Sequence, residues 1–392
     1  MKRLFPISLL LVAAIYITVT GFQCGSAETT SAKLYMQQKN WAKAEESLLK
    51  EVAKNDKNEE AHFLLGQVRY EMKKYHEMNQ SFILALQLGE THKTDILRYR
   101  MNVWGAMYND GVALYNKGRE DASMYDKALE MFNTAIEMVP DSASTHYIAG
   151  LAYYAKRDIP KATAKLETAL KLDPGYLDAL RLLGQLYRAQ GAEKQDAKDE
   201  AGAMALYGKS AAAFEKIYSI DPNDTENIGN MIEIYERMKQ NDKALKLTSD
   251  AVAKDPGNKV FRYAYGAFLL KQEKYPEAAE QFSAAIKIDP TYEDASYNLG
   301  VTYLNWGVAM REAAEKKYDE ARKASKGKEV KEDLSYKEKY KAALPYLETA
   351  LTSRQQDPML WRTLGQVYTS LNMTEKAKNA LAKFDQLTKT VK

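Results

Sequence analysis

Apolar, small and polar positions recur along most of the chain in a unit of about 34 residues. The stretch from Ser144 to Pro174 aligns without a gap with the stretch from Val260 to Pro290, and other units follow the same frame. Within each unit the apolar residues lie three or four positions apart, which is the spacing of one face of an α-helix. This period predicts a stack of helical hairpins that share a continuous core.

Glycine occupies one position of the first predicted helix in seven units. A glycine inside a helix costs about 1 kcal/mol relative to alanine, so its repeated use needs a structural reason. We predict that the absent Cβ lets this helix approach the second helix of the same unit at near backbone contact. The facing position on the second helix is small, and a larger apolar residue follows four residues later. The glycines are Gly66, Gly111, Gly150, Gly184, Gly266, Gly300 and Gly365; the small residues are Ala44, Ala128, Ala162, Ala244, Ala278, Ala343 and Ala377; the larger residues are Leu48, Phe82, Phe132, Leu166, Phe214, Phe282, Leu347 and Leu381.

Proline-containing stops close the units, because proline disfavours helix in the residue before it. These stops are Val139-Pro140, Asp173-Pro174, Asp221-Pro222, Asp255-Pro256 and Asp289-Pro290. The segment WRTLGQVY, from Trp361 to Tyr368, reproduces the pattern W-x2-L-G-x2-Y. On these residues the chain resembles the tetratricopeptide repeat (TPR), a helix-turn-helix unit. The resemblance implies an all-α fold in which about nine repeats form an α-α superhelix over residues 24–392. The repeats are expected near residues 25–58, 59–92, 104–142, 143–176, 177–224, 225–258, 259–292, 293–357 and 358–391.

Three repeats carry insertions between their two helices. The third contains YNKGREDASMY, the fifth contains GAEKQDAKDEAGAMALY, and the eighth has its insertion between Trp306 and Tyr340. Because these segments are rich in Ala, Glu, Lys and Asp, we predict lengthened helices in repeats three, five and eight. In the eighth, residues 307–343 are expected to form a projecting, charged helical hairpin with a break near Lys326-Gly327-Lys328. A solvated extension without a partner and a docking arm are both compatible with its composition.

Composition and charge exclude several classes of function. The chain has 392 residues, of which 45% are apolar and 28% charged, and its formal net charge is only +3. This balance does not favour nucleic-acid binding, which requires clustered basic residues. One cysteine and four scattered histidines offer neither an internal disulfide nor a zinc-binding spacing. No P-loop, dinucleotide-binding or HExxH motif occurs, and the repeats leave no room for a catalytic domain. We therefore expect a protein that is not an enzyme and has no metal, cofactor or small-molecule substrate.

The N-terminus has the features of a signal peptide over residues 1–23. Lys2 and Arg3 precede an apolar run from Leu4 to Phe22, and the single cysteine, Cys24, follows it. The placement resembles a bacterial lipoprotein signal, in which the cysteine becomes the acylated first residue of the mature chain. Gln23 departs from that pattern, which prefers a small residue directly before the cysteine. An ordinary cleaved signal and an uncleaved anchor helix are the alternatives.

The family resemblance also implies a concave surface that is lined by the first helix of each repeat. Aromatic and arginine side chains offer contact area on such a surface, and asparagine can hydrogen-bond a peptide backbone. An alternative interpretation is that many of the rings pack against the neighbouring repeat. Some family members bind a C-terminal carboxylate through lysine, arginine and asparagine from three successive repeats, but no three successive repeats here supply that set. The candidate groove residues are Phe63, Tyr108, Asn109, Tyr147, Arg181, Asn230, Tyr263, Tyr297, Asn298 and Arg362.

Two functional hypotheses follow. The first is a non-catalytic scaffold that binds other proteins or peptides and is anchored to a membrane through acylated Cys24. Gly25, which is not the aspartate that retains some lipoproteins at the inner membrane, favours an outer-membrane lipoprotein that faces the periplasm. The second is a soluble, periplasmic, chaperone-like binder of extended client peptides.

Overall fold

The computed structural model describes residues 26–324 and 329–389, and these residues are helical with no strand. They fall into two compact units, of which unit 1 ends at Pro174 and unit 2 begins at Gly175. Cys24, the apolar segment before it and the proposed break near Lys326 lie outside the described residues.

Unit 1 consists of consecutive helix pairs, in which each odd-numbered helix packs antiparallel on the next helix. Its helices are α1 (Ala27–Gln37), α2 (Trp41–Lys54), α3 (Glu59–Glu71), α4 (Tyr75–Leu88), α5 (Lys93–Lys117), α6 (Met124–Met138), α7 (Ala143–Ala155) and α8 (Ile159–Leu172).

Unit 2 continues the same alternation of first and second helices. Its helices are α9 (Leu177–Asp196), α10 (Glu200–Ile220), α11 (Thr225–Arg237), α12 (Asn241–Lys254), α13 (Lys259–Lys271), α14 (Tyr275–Ile288), α15 (Glu293–Ala324), α16 (Tyr336–Ala350), α17 (Pro358–Ser370) and α18 (Thr374–Lys389). The all-helical architecture of paired helices agrees with the predicted fold class.

Local sequence chemistry sets the ends of these helices. Many begin at an Asn, Asp or Ser whose side chain accepts a backbone N–H of the first turn, as Asn58 does from Ala61 at 3.0 Å. The turns inside most pairs place one residue in the left-handed region and bond the next N–H back to the first helix, as Lys74 does to the Arg69 carbonyl at 2.9 Å. The left-handed residues are Lys39, Lys73, Arg157, Lys198, Lys239, Glu273 and Asn372.

The repeated glycines lie where the two helices of a pair meet. A Cβ built on Gly111 would stand 2.5 Å from the Phe132 ring, and one on Gly184 would stand 2.8 Å from the Phe214 ring. Both rings are fully buried, as is Ala128 one turn before Phe132. The predicted close approach of the paired helices is therefore present, and the large residue of the second helix fills the space that the glycine leaves.

Lengthened pairs repeat this contact one heptad further out. In α9 and α10 a Cβ on Gly191 would stand 2.6 Å from the Tyr207 ring, and in α15 and α16 a Cβ on Gly307 would stand 2.6 Å from the Tyr340 ring. Gly191 and Gly307 each follow the repeat glycine by seven residues, and each tyrosine precedes the repeat's large apolar residue by seven. Gly118 and Tyr125 make a similar contact in repeat three, where Gly118 lies just after the end of α5. In repeat five, two helical turns added to both helices keep the same face in contact.

The predicted long helices are confirmed in repeats three, five and eight, but two details differ. In repeat three the added length of α5 lies at its amino end, over residues 93–103, whereas the inserted residues mainly form the turn 118–123. In repeat eight α15 runs for 32 residues, but the described return segment 329–335 is not helical. There Asp333 accepts the Ser335 N–H at 2.9 Å, a local bond that competes with helix and precedes the start of α16.

Candidate functional site

The first helices of neighbouring repeats in unit 2 are joined by polar side chains between α9 and α11. Arg181 Nη2 donates to Asp224 Oδ2 at 2.8 Å. One heptad later, Arg188 Nη1 donates to Asn230 Oδ1 at 3.1 Å and to Glu233 Oε2 at 2.5 Å. These five residues form what we call the α9–α11 polar cluster. Since Arg181 and Arg188 are seven residues apart, they project from the same side of α9, and they fix the register of α11 against it.

The cluster extends to the lengthened pair through Arg237. Its Nε donates to Glu233 Oε1 at 2.9 Å, and its guanidinium lies 5.8 Å from the centroid of the Tyr207 ring. The bond to Glu233 raises the pKa of Arg237. Tyr207 in turn donates to Gln195 Oε1 at 2.9 Å. The polar surface of α9 and α11 is therefore continuous with the core contact between Gly191 and Tyr207.

Asp224 has two roles in the cluster. Its Oδ1 accepts the Asn227 N–H at 2.9 Å and so caps α11, while its Oδ2 accepts from Arg181. Burial opposes the ionisation of Asp224, but the bonds from the Asn227 N–H and from Arg181 lower the pKa of its carboxyl below the ordinary value. The same ion pair raises the pKa of Arg181. Asp224 thus holds both the start of α11 and the position of Arg181.

Asp224→Ala is expected to reduce the free energy of unfolding by about 1–2 kcal/mol, because it removes the α11 cap and the partner of Arg181. Asp224→Asn keeps the cap and should cost less.

The contribution of the Asp224 charge to stability is expected to depend on pH. Because the folded-state pKa of Asp224 is lowered, this contribution is complete above the unfolded-state pKa near 4 and is lost as the pH falls through the folded-state pKa. Urea unfolding at several pH values checks this. The difference between wild type and Asp224→Asn should shrink below about pH 4, whereas Asp385→Asn, at an exposed site of α18, should stay close to wild type at every pH. A difference that persists in acid would contradict the assignment.

Two donors of the cluster have no hydrogen-bond acceptor. Asn230 Nδ2 and Arg181 Nη1 are both shielded from solvent and unpaired. The nearest carboxylate to Arg181 Nη1 is that of Glu226, whose Oε2 is 3.9 Å away and too far for a hydrogen bond. Unpaired buried donors carry a free-energy cost that an incoming acceptor removes. A carbonyl oxygen placed against α9 and α11 would supply such an acceptor.

The predicted residues on α13 and α15 are brought together in contacts between repeats. Asn298 Nδ2 donates to the Tyr263 hydroxyl at 3.0 Å. The Tyr263 ring lies 5.2 Å from that of Tyr292, and the Arg354 guanidinium lies 4.9 Å from the Tyr297 ring. Burial raises the pKa of both Tyr263 and Tyr297. The Asn298–Tyr263 bond thus links repeats seven and eight, and Tyr263, Tyr297 and Asn298 are all half-buried.

Arg362 stands apart from these contacts. It is exposed on α17, where its guanidinium lies 6.0 Å from the Phe384 ring. The structure does not bring Arg362 into contact with the α9–α11 polar cluster.

The predicted residues of unit 1 form a more apolar surface. Phe63 differs from the expected outward position, because it is only 6% exposed and its ring stacks on His92 with a centroid distance of 4.0 Å. Tyr108 stacks half-buried on Trp104 at 5.7 Å. Asn109 is exposed and Tyr147 is half-buried. Of these four side chains, only Asn109 is largely open to solvent.

Arg188, Asp224 and Glu233 belong to the cluster but were missed by the sequence analysis, as was the adjoining Arg237. The available signal was periodicity: Arg188 follows Arg181 by seven residues, and Glu233 follows Asn230 by three, so each pair shares a helix face. Their pairing across α9 and α11 depends on how two repeats pack. A single repeat does not encode that contact.

The two histidines at the tryptophan position of the repeat are structural. His62 and His146 are 6% and 7% exposed, and the Nε2 of each lies 2.9 Å from a backbone carbonyl, that of Asp56 and that of Pro140. Burial lowers the pKa of His146. Within the described ranges no group of three His, Cys, Asp or Glu side chains could hold a metal ion. None of the helices in those ranges combines the length and hydrophobicity needed to cross a membrane.

Family models recognise tetratricopeptide repeats in two parts of the chain. The model described as tetratricopeptide repeat matches residues 119–176 and 149–225, and the model described as TPR repeat matches residues 266–307. The first region ends at the start of α11, and the second runs from the second half of α13 to the first half of α15.

Curated relatives share low identity with the chain. Superkiller complex protein 3 of Mus musculus is 22% identical over 237 residues, which are 53% of this chain and 15% of that protein. A DnaJ homolog subfamily C member 7 homolog of Schizosaccharomyces pombe is 25% identical over 266 residues, which are 64% of this chain and 52% of the relative. Photosystem I assembly protein Ycf3 of Cyanophora paradoxa is 26% identical over 137 residues, 34% of this chain and 76% of the relative. The chain thus spans only about one sixth of Superkiller complex protein 3 and about half of the DnaJ homolog.

Solved structures with a related fold include YrrB, described as a TPR protein with an unusual peptide-binding site. It is 21% identical, covers 62% of this chain and 97% of its own, and gives a TM-score of 0.41. The structure of MamA is 16% identical, covers 51% of this chain and 95% of its own, and gives a TM-score of 0.37.

Proposed function

We propose that this chain is a non-catalytic protein-interaction scaffold that binds an extended polypeptide along the first helices of unit 2. The observation that carries the proposal is the pair of unpaired donors, Asn230 Nδ2 and Arg181 Nη1, on neighbouring first helices. The matches to tetratricopeptide-repeat models over residues 119–225 and 266–307 support it, as does the similarity to Photosystem I assembly protein Ycf3, a relative named for assembly.

The cluster favours a ligand that presents carbonyl oxygens. Asn230 uses its Oδ1 to accept from Arg188, which leaves its Nδ2 without an acceptor. Arg181 uses Nη2 for Asp224, which leaves Nη1 for a second acceptor. Backbone carbonyls recur along an extended peptide, so one strand can meet both donors in turn. Binding of this kind tolerates several sequences, because the backbone supplies the acceptors.

Asn230→Asp is expected to weaken peptide binding at least about tenfold, because Asp keeps the acceptor for Arg188 but removes the unpaired donor and adds a negative charge. The probe is an array of unrelated twelve-residue peptides, and the dissociation constant of the strongest binder is then measured by fluorescence polarisation. The matched control is Asn379→Asp, which makes the same charge change at an exposed site on α18 and should bind as wild type. Equal affinity of the two variants, or no binding to any peptide, would refute the proposed function.

The proposal includes an anchor at Cys24, supported by the basic start, the apolar run and the single cysteine that follows it. Acylation with more than one chain would give stable membrane attachment. The chain would then be an outer-membrane lipoprotein of the bacterial cell envelope that faces the periplasm. Mass spectrometry of the mature N-terminus tests this: a diacylglyceryl group on Cys24 is the expected result. An unmodified mature start would instead favour the soluble, chaperone-like binder of extended client peptides.

A further inference from the structure

A second candidate site lies near the end of unit 2, in a cavity of about 390 Å³ between the outer part of α15, α16 and the last helix pair. Leu304, Val308 and Leu381 form its apolar wall. Arg311 and Tyr340 also line it. The cavity shares no residue with the α9–α11 polar cluster, so its ligand is a separate question.

Two buried donors in this cavity have no hydrogen-bond acceptor. Tyr340 has no exposed surface, and its hydroxyl lies near the Ser370 side chain but makes no hydrogen bond of good geometry with a described residue. Arg311 Nε is also buried and unpaired, although Glu315 Oε1 stands 3.5 Å away. Burial raises the pKa of Tyr340, while the charge of nearby Arg311 acts in the opposite direction. The hydroxyl therefore remains a neutral donor close to a cation.

The neighbouring hydroxyls donate their own protons to backbone carbonyls of α17. Ser370 Oγ donates to the Gln366 carbonyl at 2.9 Å, and Thr369 Oγ1 donates to the Gly365 carbonyl at 2.8 Å. An incoming anion would meet the free donors of Arg311 and Tyr340 without displacing these bonds. The polar end of the cavity is thus suited to accept negative charge.

One residue of the apolar wall is exposed to solvent, although its equivalents in other repeats are buried. Leu381 is 41% exposed, whereas the equivalent Leu347 and Phe282 have no exposed surface. At this position the described residues include no further helix to cover the side chain, so Leu381 and the half-buried Val308 offer contact area to a ligand, with the buried Leu304 beneath them. Burial of apolar area adds a favourable free energy in proportion to that area.

We propose that this cavity binds a carboxylate carried on an apolar stem. Arg311 Nε and the Tyr340 hydroxyl donate to the carboxylate oxygens, and Leu304, Val308 and Leu381 contact the stem. Glu315 faces the same guanidinium and competes with the ligand. The chemistry is common to a fatty acid and to the C-terminal residue of a chain that ends in an apolar side chain.

Isothermal titration calorimetry with sodium octanoate and with the peptide acetyl-Gly-Gly-Leu, as free acid, tests the site. Octanamide and the peptide amide are the neutral probes. Saturable binding of at least one acid, and at least about tenfold weaker binding of its amide, is expected. Binding of octanoate alone identifies a fatty acid, binding of the peptide alone identifies a chain terminus, and binding of both identifies the shared group.

The variants separate the proposed contacts from general effects on the fold. Arg311→Gln should weaken binding of the acid at least about tenfold, Tyr340→Phe should weaken it severalfold, and Glu315→Gln should strengthen it. Arg322→Gln, further along α15 and outside the cavity, should bind as wild type. Circular dichroism confirms that each variant is folded. No binding of either acid, equal binding of acid and amide, or wild-type affinity in both Arg311→Gln and Tyr340→Phe would overturn the proposal.

Discussion

Gly111→Ala is expected to destabilise unit 1 by about 1–3 kcal/mol, although alanine is the better helix former. The new Cβ would stand 2.5 Å from the Phe132 ring, which is fully buried and has no free space to enter. Either the Phe132 ring must shift or α5 and α6 must move apart, and in both cases the close packing of the pair is lost. This overpacking outweighs the gain of about 1 kcal/mol from helix propensity.

Gly105→Ala is the matched control, because Gly105 lies on the same helix and a Cβ there would meet nothing within 4 Å. It should stabilise the protein by about 0.5–1 kcal/mol. Urea unfolding followed by circular dichroism gives the midpoints, and hydrogen exchange of α5 and α6 shows where stability changes, since repeat arrays can unfold in parts. Midpoints that move in opposite directions are expected. A Gly111→Ala midpoint at or above that of wild type would contradict the role of the glycine contact.

Tyr207→Ala is expected to cost about 3–5 kcal/mol, because Tyr207 is a large, fully buried ring that packs on Gly191. Its removal leaves a cavity in the outer contact of α9 and α10. Tyr207→Phe keeps the ring and loses the hydroxyl's bonds with Gln195 and Arg237, so it should cost about 1 kcal/mol. The large loss would show that the inserted residues of repeat five extend the core.

The control for Tyr207 is Tyr218→Ala, on the same helix at a half-buried position. It should cost less than about 1 kcal/mol, because little apolar area is removed. The measurement is again the urea midpoint, with hydrogen exchange of α9 and α10. If Tyr207→Ala costs no more than Tyr218→Ala, the outer heptad is a peripheral extension and the extended-core interpretation is wrong.

The contacts within one repeat could be predicted from the sequence, because both partners recur in most copies. Gly111 occupies the glycine position of the first helix and Phe132 the large apolar position of the second helix, four residues after Ala128, so their pairing is visible from the repeat alignment. The length of α9 and α10 follows from a helix-forming insertion whose Gly191 and Tyr207 preserve the same face. These features depend on local propensity and on one recurring contact.

Contacts between repeats could not be predicted in the same way. Residues 93–103 fall between two repeat frames, so nothing periodic indicated that they extend α5. Phe63 occupies a position that was expected to face outward, but stacking on His92 of the following segment buries it. The α9–α11 polar cluster likewise forms only when Arg188 of one repeat meets Asn230 and Glu233 of the next. Such pairings depend on the rotation between repeats, which a single unit does not specify.

The central claim is that the first helices of unit 2 bind an extended polypeptide, and site-specific photocrosslinking tests it most directly. Benzoylphenylalanine is placed at Gln185, between Arg181 and Arg188 on α9, or at Lys216, exposed on the second helix α10. Each protein is irradiated with the strongest peptide from the array, and the crosslinked residue is identified by mass spectrometry. We predict a crosslink from position 185 that Asn230→Asp reduces, and none from position 216. Equal crosslinking at the two positions, or crosslinking from position 216 alone, would contradict the account.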